Sequence, residues 1–238
     1  MSKLTKDDLL ALRAVNFRFV TMSAETILGW FEVLDAGWLY QGDPDPAKPH
    51  AELTSGKCSN GYFDCRRVLC YPNLSEILAI SLFNKLKISG IRPQAVVGSP
   101  YSAITFSYEV ARQFGIPHFF AEKDPADPKG KAMVWKGEIP GGSKVLQVEE
   151  LITTLGTTQA VRQAVVEKNP EPITVLTIVG TCIYRPDKLT ADLGDRQIIA
   201  LVGKEVSVWD PEQCPYCKVG SPRVRPRGNW TQLVGRTV

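Results

Sequence analysis

Histidine is scarce in this chain, with two in 238 residues, His50 and His118. That is too few for a His-based metal centre, and neither has an evident nucleophile as partner. No run approaches the ~18 consecutive apolar residues that a membrane-spanning helix needs. The opening MSKLTKDDLL also lacks the apolar core of a signal peptide. An internal repeat, a P-loop lysine motif and a GxGxxG turn are all missing, so repeat architectures and the familiar nucleotide-binding turns are not indicated. Charge of one sign is not in excess: 28 Lys and Arg against 25 Asp and Glu leave a net +3. The basic residues are scattered, so neither nucleic acid nor membrane is an expected partner. The expectation is a soluble, cytoplasmic protein whose six cysteines stay mostly as thiols.

With 44% hydrophobic residues, the chain can bury a sizeable core as one α/β domain with appendages. The stretch KVLQVEELITTLGTTQAVRQAVVEK, residues 144–168, organises the rest. Val145, Leu146 and Val148 form a short apolar run, the pattern of a strand covered on both faces. Val161, Ala164, Val165 and Lys168 then recur at helical spacing, with Thr157 or Thr158 as the cap. Between strand and helix lie Glu149 and Glu150, then Leu151-Ile152-Thr153-Thr154-Leu155-Gly156-Thr157-Thr158. Free helix N–H groups and Thr hydroxyls offer donors to a phosphate. Paired carboxylates suit hydroxyl groups, directly or through a hydrated Mg²⁺. A ligand with ribose hydroxyls at one end and a 5′-phosphate at the other meets both demands. The plain alternative is a surface acidic pair followed by a polar helix cap.

Along the rest of the chain, residues 6–20 carry enough apolar positions for a helix, and Ser23 caps a second one that includes Ile27, Leu28, Phe31, Leu34 and Trp38. QGDPDPAKPH, residues 41–50, is a loop. Thr54-Ser55-Gly56-Lys57 is a flexible turn with a cation able to reach a phosphate. Arg66 and Arg67 read as structural ion-pair partners. A helix starts at Asn73 or Ser75 and runs through Lys87. Strands follow at 94–98, 117–121, 172–179, 197–202 and 206–209, with His118 packed at a strand start. Residues 122–142 lack clear periodicity between two buried strands, which suggests a functional loop.

These segments resemble the type I phosphoribosyltransferases, most closely the orotate phosphoribosyltransferases. The resemblance rests on the apolar strand, two acids, two apolar residues and Thr/Gly run at 144–158. It also rests on Leu53-Thr54-Ser55-Gly56-Lys57 with Tyr62-Phe63-Asp64, and on Val96-Val97-Gly98-Ser99-Pro100-Tyr101 with Gly115-Ile116-Pro117. The match is collinear from about residue 28 to 224. It implies a central parallel sheet flanked by helices, with a small hood formed by the N-terminal segment and the C-terminal tail. The corresponding division is residues 1–70 for the N-terminal helices and hood segment, 71–210 for the core and 211–238 for a Cys-containing basic tail.

The resemblance further implies a Mg²⁺-dependent homodimer that joins a nucleobase, orotate first, to ribose 5-phosphate from phosphoribosyl pyrophosphate in pyrimidine nucleotide synthesis. In that frame Glu149 and Glu150 hold the ribose hydroxyls, while Thr153, Thr154, Gly156 and Thr157 hold the 5′-phosphate. Lys57 and Lys123 approach pyrophosphate, Tyr101 and Ser102 belong to the pyrophosphate turn, and no side chain ligates Mg²⁺ directly. The chain departs from the family pattern at Thr54 and Ser102, where Lys is usual, at Glu122, where Arg is usual, and at Leu155, where Gly is usual. Ala126 and Pro128 stand near a loop Lys and His, with Lys129, Lys131 and Lys136 as shifted substitutes. Thr181 occupies the place of the orotate-binding Arg, with Arg185 close behind. These departures favour a second reading, a module that senses a ribose phosphate or nucleotide without turnover; the order and extent of the match favour the enzyme.

Cys214-Pro215-Tyr216-Cys217 opens the basic tail. Two cysteines so spaced are half a zinc site, and further ligands would come from Cys58, Cys65, Cys70, Cys182, His50 or His118. A similar Cys-Pro-x-Cys-x-x-Gly tail occurs in some orotate phosphoribosyltransferases without implying metal, so the sequence alone weighs against zinc at Cys214 and Cys217.

Overall fold

The computed structural model describes residues 4–235; the tail's last residues, from Arg236, lie outside the described residues. Thr5 and Asp8 form a reciprocal capping box at the start of α1 (Lys6–Leu10). The single helix expected over 6–20 stops early. Asn73 Nδ2 takes the carbonyls of Leu9, Leu10 and Leu12, so a tertiary partner replaces further helical turns, and only a 3₁₀ turn, Ala14–Phe17, follows. Ser23 Oγ accepts from the Thr26 N–H and starts α2 (Ala24–Val33). Asp35, at φ 53°, turns the chain out of the helix. Trp38 therefore falls in a strand, β1 (Gly37–Leu39), and not on α2 as its spacing suggests.

Next come β2 (His50–Glu52), β3 (Cys58–Ser59), β4 (Gly61–Phe63), α3 (Arg66–Leu69) and α4 (Pro72–Ile88). Proline at the first position of α4 has no N–H to lose there. Leu74, Ile77, Leu78, Leu82 and Leu86 of α4 are fully buried. The core continues as β5 (Ala95–Gly98), α5 (Ala103–Phe114), β6 (His118–Phe120), β7 (Glu122–Lys123), β8 (Met133–Val134), β9 (Lys144–Ile152), α6 (Gly156–Lys168), β10 (Thr174–Tyr184) and β11 (Gln197–Gly203). The chain closes with β12 (Val208–Trp209), α7 (Pro215–Lys218), β13 (Arg223–Val224) and α8 (Trp230–Leu233).

Five strands in the order β11-β10-β9-β5-β6 make one parallel sheet. Alternation along β9 divides the core. Leu146 and Val148 pack with Leu82, Leu86 and Phe106 of α4 and α5, whereas Val145 packs with Val161 and Val165 of α6. A second sheet, β12-β3-β2-β13, interleaves strands from both ends of the chain and forms the hood.

Residues 122–142 contain a short antiparallel arm, β7 with β8, and not a plain loop. Its tip is built by Asp127, whose carboxylate accepts the backbone N–H groups of Lys129, Lys131 and Ala132, which explains why no apolar period marks it. His118 is half-buried, with Nε2 2.7 Å from Ser107 Oγ, and burial lowers its pKa to about 4, the neutral state of a packed imidazole.

Gly98 ends β5 against α5. A Cβ there would overlap Ser107 Oγ and come within 3.0 Å of Ser107 Cβ. Gly98→Ala should therefore lower stability by about 1–3 kcal/mol through overpacking, read as a reduced urea midpoint, and Ser107→Gly in the same chain should recover part of the loss. An unchanged midpoint in the single variant would contradict this packing.

Candidate active site

In an open α/β sheet, ligands sit beyond the carboxyl ends of the strands. Gly98 pairs with Val148 and Ile152 with Tyr184, so the turns after β5, β9 and β10 stand side by side. This edge brings together Tyr101 and Ser102 from the first turn, Glu149 to Thr157 from the second, and Arg185 from the third. Tyr101 is exposed, and Ser102 occupies the N-cap position of α5 without a side-chain cap. The Pro100–Tyr101 peptide bond is cis.

The acidic pair lies inside β9, which runs to Ile152 and not to Val148 as the apolar run suggests. Gln147 and Glu149 follow Val145 on the α6 face. Gln147 Nε2 donates to the Thr158 carbonyl at 3.0 Å, and Glu149 accepts from Thr158 Oγ1 at 3.3 Å and from Ser99 Oγ. Glu149 is 4% exposed, and burial pushes its carboxyl up to about 8 against the pull of those two hydroxyls. Glu150 has different neighbours. Its carbonyl accepts from Cys65 Sγ, and Arg66 and Asp64 act on its charge; burial raises its pKa while its own and the Leu151 N–H, with Arg66, oppose the rise. Strand alternation thus gives two adjacent glutamates separate partners.

Arg66 grips both oxygens of Asp64 at 2.7 and 2.6 Å. Burial would raise Asp64, but the hydrogen bonds and charge of Arg66 outweigh it and hold the carboxylate below its usual range. Arg66 is therefore the structural partner its sequence position suggests. Arg67 donates to the Asp35 carbonyl and stacks over Trp230. A cavity of ≈ 300 Å³ opens beside this group, lined by Tyr62, Asp64, Arg67, Arg227, Gly228 and Trp230.

Helix α6 begins at Gly156, with Leu155 as N-cap and no side-chain cap hydrogen bond. Neither Thr157 nor Thr158 caps it, as the spacing suggests; Thr158 instead turns back to Glu149. The first N–H groups of the helix are left facing an open turn in which Thr154, Gly156 and Thr157 are exposed and Thr153 half-buried. Leu155 sits at φ −78°, ψ 9°, so glycine is not required there. Its side chain packs beside Ile152, Val179 and Tyr184, clear of the turn.

Strand β10 runs to Tyr184, past the end at Val179 that the apolar pattern indicates. Thr181 is consequently buried inside the sheet, and Arg185 is the first residue beyond the strand. Its N–H bonds the Ile152 carbonyl at 2.8 Å, beside Thr153. Its guanidinium Nε is buried without a partner, and burial lowers its pKa, with Cys65 and Tyr62 acting in the opposite sense. Ser99 and Gln147 lie around Glu149 and Thr158 without spacing having pointed to them; the odd-numbered alternation from Val145 was the available signal for Gln147, and none marked Ser99.

The two lysines stand apart. Lys57 closes the β2–β3 hairpin and pairs with Asp210 at 3.1 Å, so its contacts are with the hood. Lys123 lies on the β7–β8 arm, which leaves the same sheet edge next to Gly98, whose carbonyl accepts the Ala121 N–H. On that arm Glu122, standing where a cation is usual, pairs with Lys136 at 2.8 Å, which offsets its charge.

No family model matches the chain. It is 38% identical over 178 residues to the orotate phosphoribosyltransferase of Pelotomaculum thermopropionicum, covering 74% of this chain and 87% of that protein. With the orotate phosphoribosyltransferase of Caldicellulosiruptor saccharolyticus it shares 33% identity over 207 residues, covering 86% and 97%. The crystal structure of orotate phosphoribosyltransferase from Francisella tularensis matches the fold at TM-score 0.51 and 15% identity, over 78% of this chain and 85% of that one. The fold, the carboxyl-edge site and these relatives together place the chain in the orotate phosphoribosyltransferase family of enzymes.

Proposed function

We propose that the chain transfers ribose 5-phosphate from phosphoribosyl pyrophosphate to orotate with release of pyrophosphate, acting as a Mg²⁺-dependent cytoplasmic homodimer. The observation that carries this reading is the uncapped, open N-terminus of α6 held beside a buried pair of glutamates. Thr153, Thr154, Gly156 and Thr157 receive the 5′-phosphate, whose charge the helix dipole and free N–H groups favour. Glu150 faces the ribose hydroxyls, and Glu149 holds Ser99 and Thr158 so that the two turns keep their spacing. Arg185 is the cation for the orotate carboxylate: its unpartnered Nε is a buried donor in want of an acceptor.

Breaking the bond from ribose C1 to pyrophosphate builds negative charge on the leaving group. Lys123 on the arm, with Lys57 from the hood, supplies positive charge there, and arm closure over a neighbouring subunit's site excludes water. Glu150, with Glu149 once deprotonated, would hold a hydrated Mg²⁺, which would supply positive charge against pyrophosphate.

Pyrophosphate release measured with phosphoribosyl pyrophosphate, Mg²⁺ and a panel of bases should single out orotate. Lys123→Ala should lower kcat by about 10²–10³-fold, and Arg185→Gln should raise KM for orotate while leaving that for phosphoribosyl pyrophosphate nearly unchanged. Binding with no release for any base would contradict the enzyme and support a sensor.

Glu149 gives a pH signature. Its folded pKa, about 8, lies above its ordinary 4.5, so the native state holds the proton more tightly. The associated stability is present below about pH 4.5 and is lost as pH rises through about 8. Glu149→Gln, a neutral isostere, should match the wild-type melting temperature near pH 5 and exceed it increasingly toward pH 9; a difference independent of pH would contradict the burial argument.

A further inference from the structure

We propose that the hood holds a structural zinc ion on His50, Cys58, Cys214 and Cys217. The two halves of this cluster lie more than 150 residues apart in sequence and meet because the hood sheet interleaves the chain ends. His50 begins β2 and Cys58 begins β3, which pairs with β2. Arg223 of β13 pairs with His50, and Trp209 of β12 pairs with Cys58. Cys214 is the N-cap of α7 and Cys217 lies one turn on, so one short turn presents both sulfurs to the sheet.

The four ligand atoms lie within 4.8 Å of one another. Cys58 Sγ is 3.5 Å from Cys217 Sγ, and His50 Nε2 is 3.4 Å from Cys217 Sγ and 3.7 Å from Cys214 Sγ. A tetrahedron with Zn–S of about 2.3 Å and Zn–N of about 2.05 Å has edges of roughly 3.8 Å between sulfurs and roughly 3.6 Å between sulfur and nitrogen. The three short separations, 3.4, 3.5 and 3.7 Å, lie within about 0.3 Å of such edges, and the whole set lies within 4.8 Å, so one ion fits after a small contraction of the cluster.

The surroundings supply a second, independent observation. His50 is fully buried, and its Nδ1 lies 2.8 Å from Ser221 Oγ. The Ser221 hydroxyl spends its proton on the Lys48 carbonyl at 2.6 Å, so it accepts from Nδ1–H. That fixes the tautomer in which the Nε2 lone pair faces the three sulfurs, the arrangement that orients histidine for a metal. Tyr216 stacks on the His50 ring and Trp209 meets Tyr216 edge to face, shielding the cluster. Cys58 and Cys214 are fully buried and Cys217 is half-buried. Four closed ligands leave no open position, which makes the site structural and not catalytic.

There is also a need for it. The hood strands are two or three residues long, and their apolar cluster consists of Ala51, Val224, Trp230 and Leu233 with a few half-buried neighbours. So small a core is normally reinforced by a cross-link or metal. On binding, each of the three thiols gives its proton to solvent and no electron moves, so the step needs no oxidant.

The test is metal content of the full chain purified under reducing conditions without chelator, then reconstituted with Zn²⁺. About one tightly held zinc per chain is expected, with Cys70→Ser as a control that keeps it. Co²⁺ in its place should give the intense visible bands of a tetrahedral thiolate site and strong near-ultraviolet thiolate charge transfer. Cys217→Ser should weaken zinc retention in a chelator competition by at least about tenfold. Should that variant fold poorly, the wild-type stoichiometry and cobalt spectrum still decide. No zinc retained after reconstitution, or a Cys58–Cys217 or Cys214–Cys217 disulfide in the reduced preparation, would overturn the assignment.

Discussion

One buried carboxylate organises the site. Glu149 sits under the turn between β9 and α6 and joins three segments, through Ser99 Oγ from the turn after β5 and Thr158 Oγ1 from α6. A buried acid is expensive unless hydrogen-bonded, and both hydroxyls are spent meeting that demand. Thr158 is consequently unavailable as a cap, and the helix starts without one. An exposed, donor-rich helix terminus follows directly from how a strand residue beneath it is satisfied.

The same edge gains its other groups from strand lengths. Because β10 extends to Tyr184, Arg185 and not Thr181 emerges at the level of Thr153. Because β9 extends to Ile152, alternation gives Glu149 and Glu150 different environments, one with α6 and one with Asp64 and Arg66. Several departures from the family pattern lose their force in three dimensions. Leu155 adopts an ordinary backbone conformation, Glu122 pairs with Lys136, and an arginine, Arg185, leaves β10 four residues after Thr181.

The parallel sheet was legible because Val145, Val96 and Val175 lie in buried runs, and the turn from β9 into α6 because Thr and Gly cluster between a strand and a helix. Strand ends were not legible. Val179 to Tyr184 includes Gly180, Thr181 and Cys182, which read as a break although neighbouring strands bury them. The break after α1 was also hidden, since it depends on Asn73 reaching back from α4. The hood was the least legible: its strands are too short for a period of two, and Cys214 and Cys217 meet His50 and Cys58 only through pairing of the chain ends.

Glu149 and Thr158 carry the central claim, and Thr158→Val tests it directly by removing the hydroxyl while keeping the shape. Calorimetric titration with ribose 5-phosphate should show affinity reduced by about tenfold, the order of one hydrogen bond, together with a lowered melting temperature, because Glu149 loses one of its two hydroxyl partners. Equal affinity in variant and wild type would mean that the helix terminus does not depend on the carboxylate beneath it.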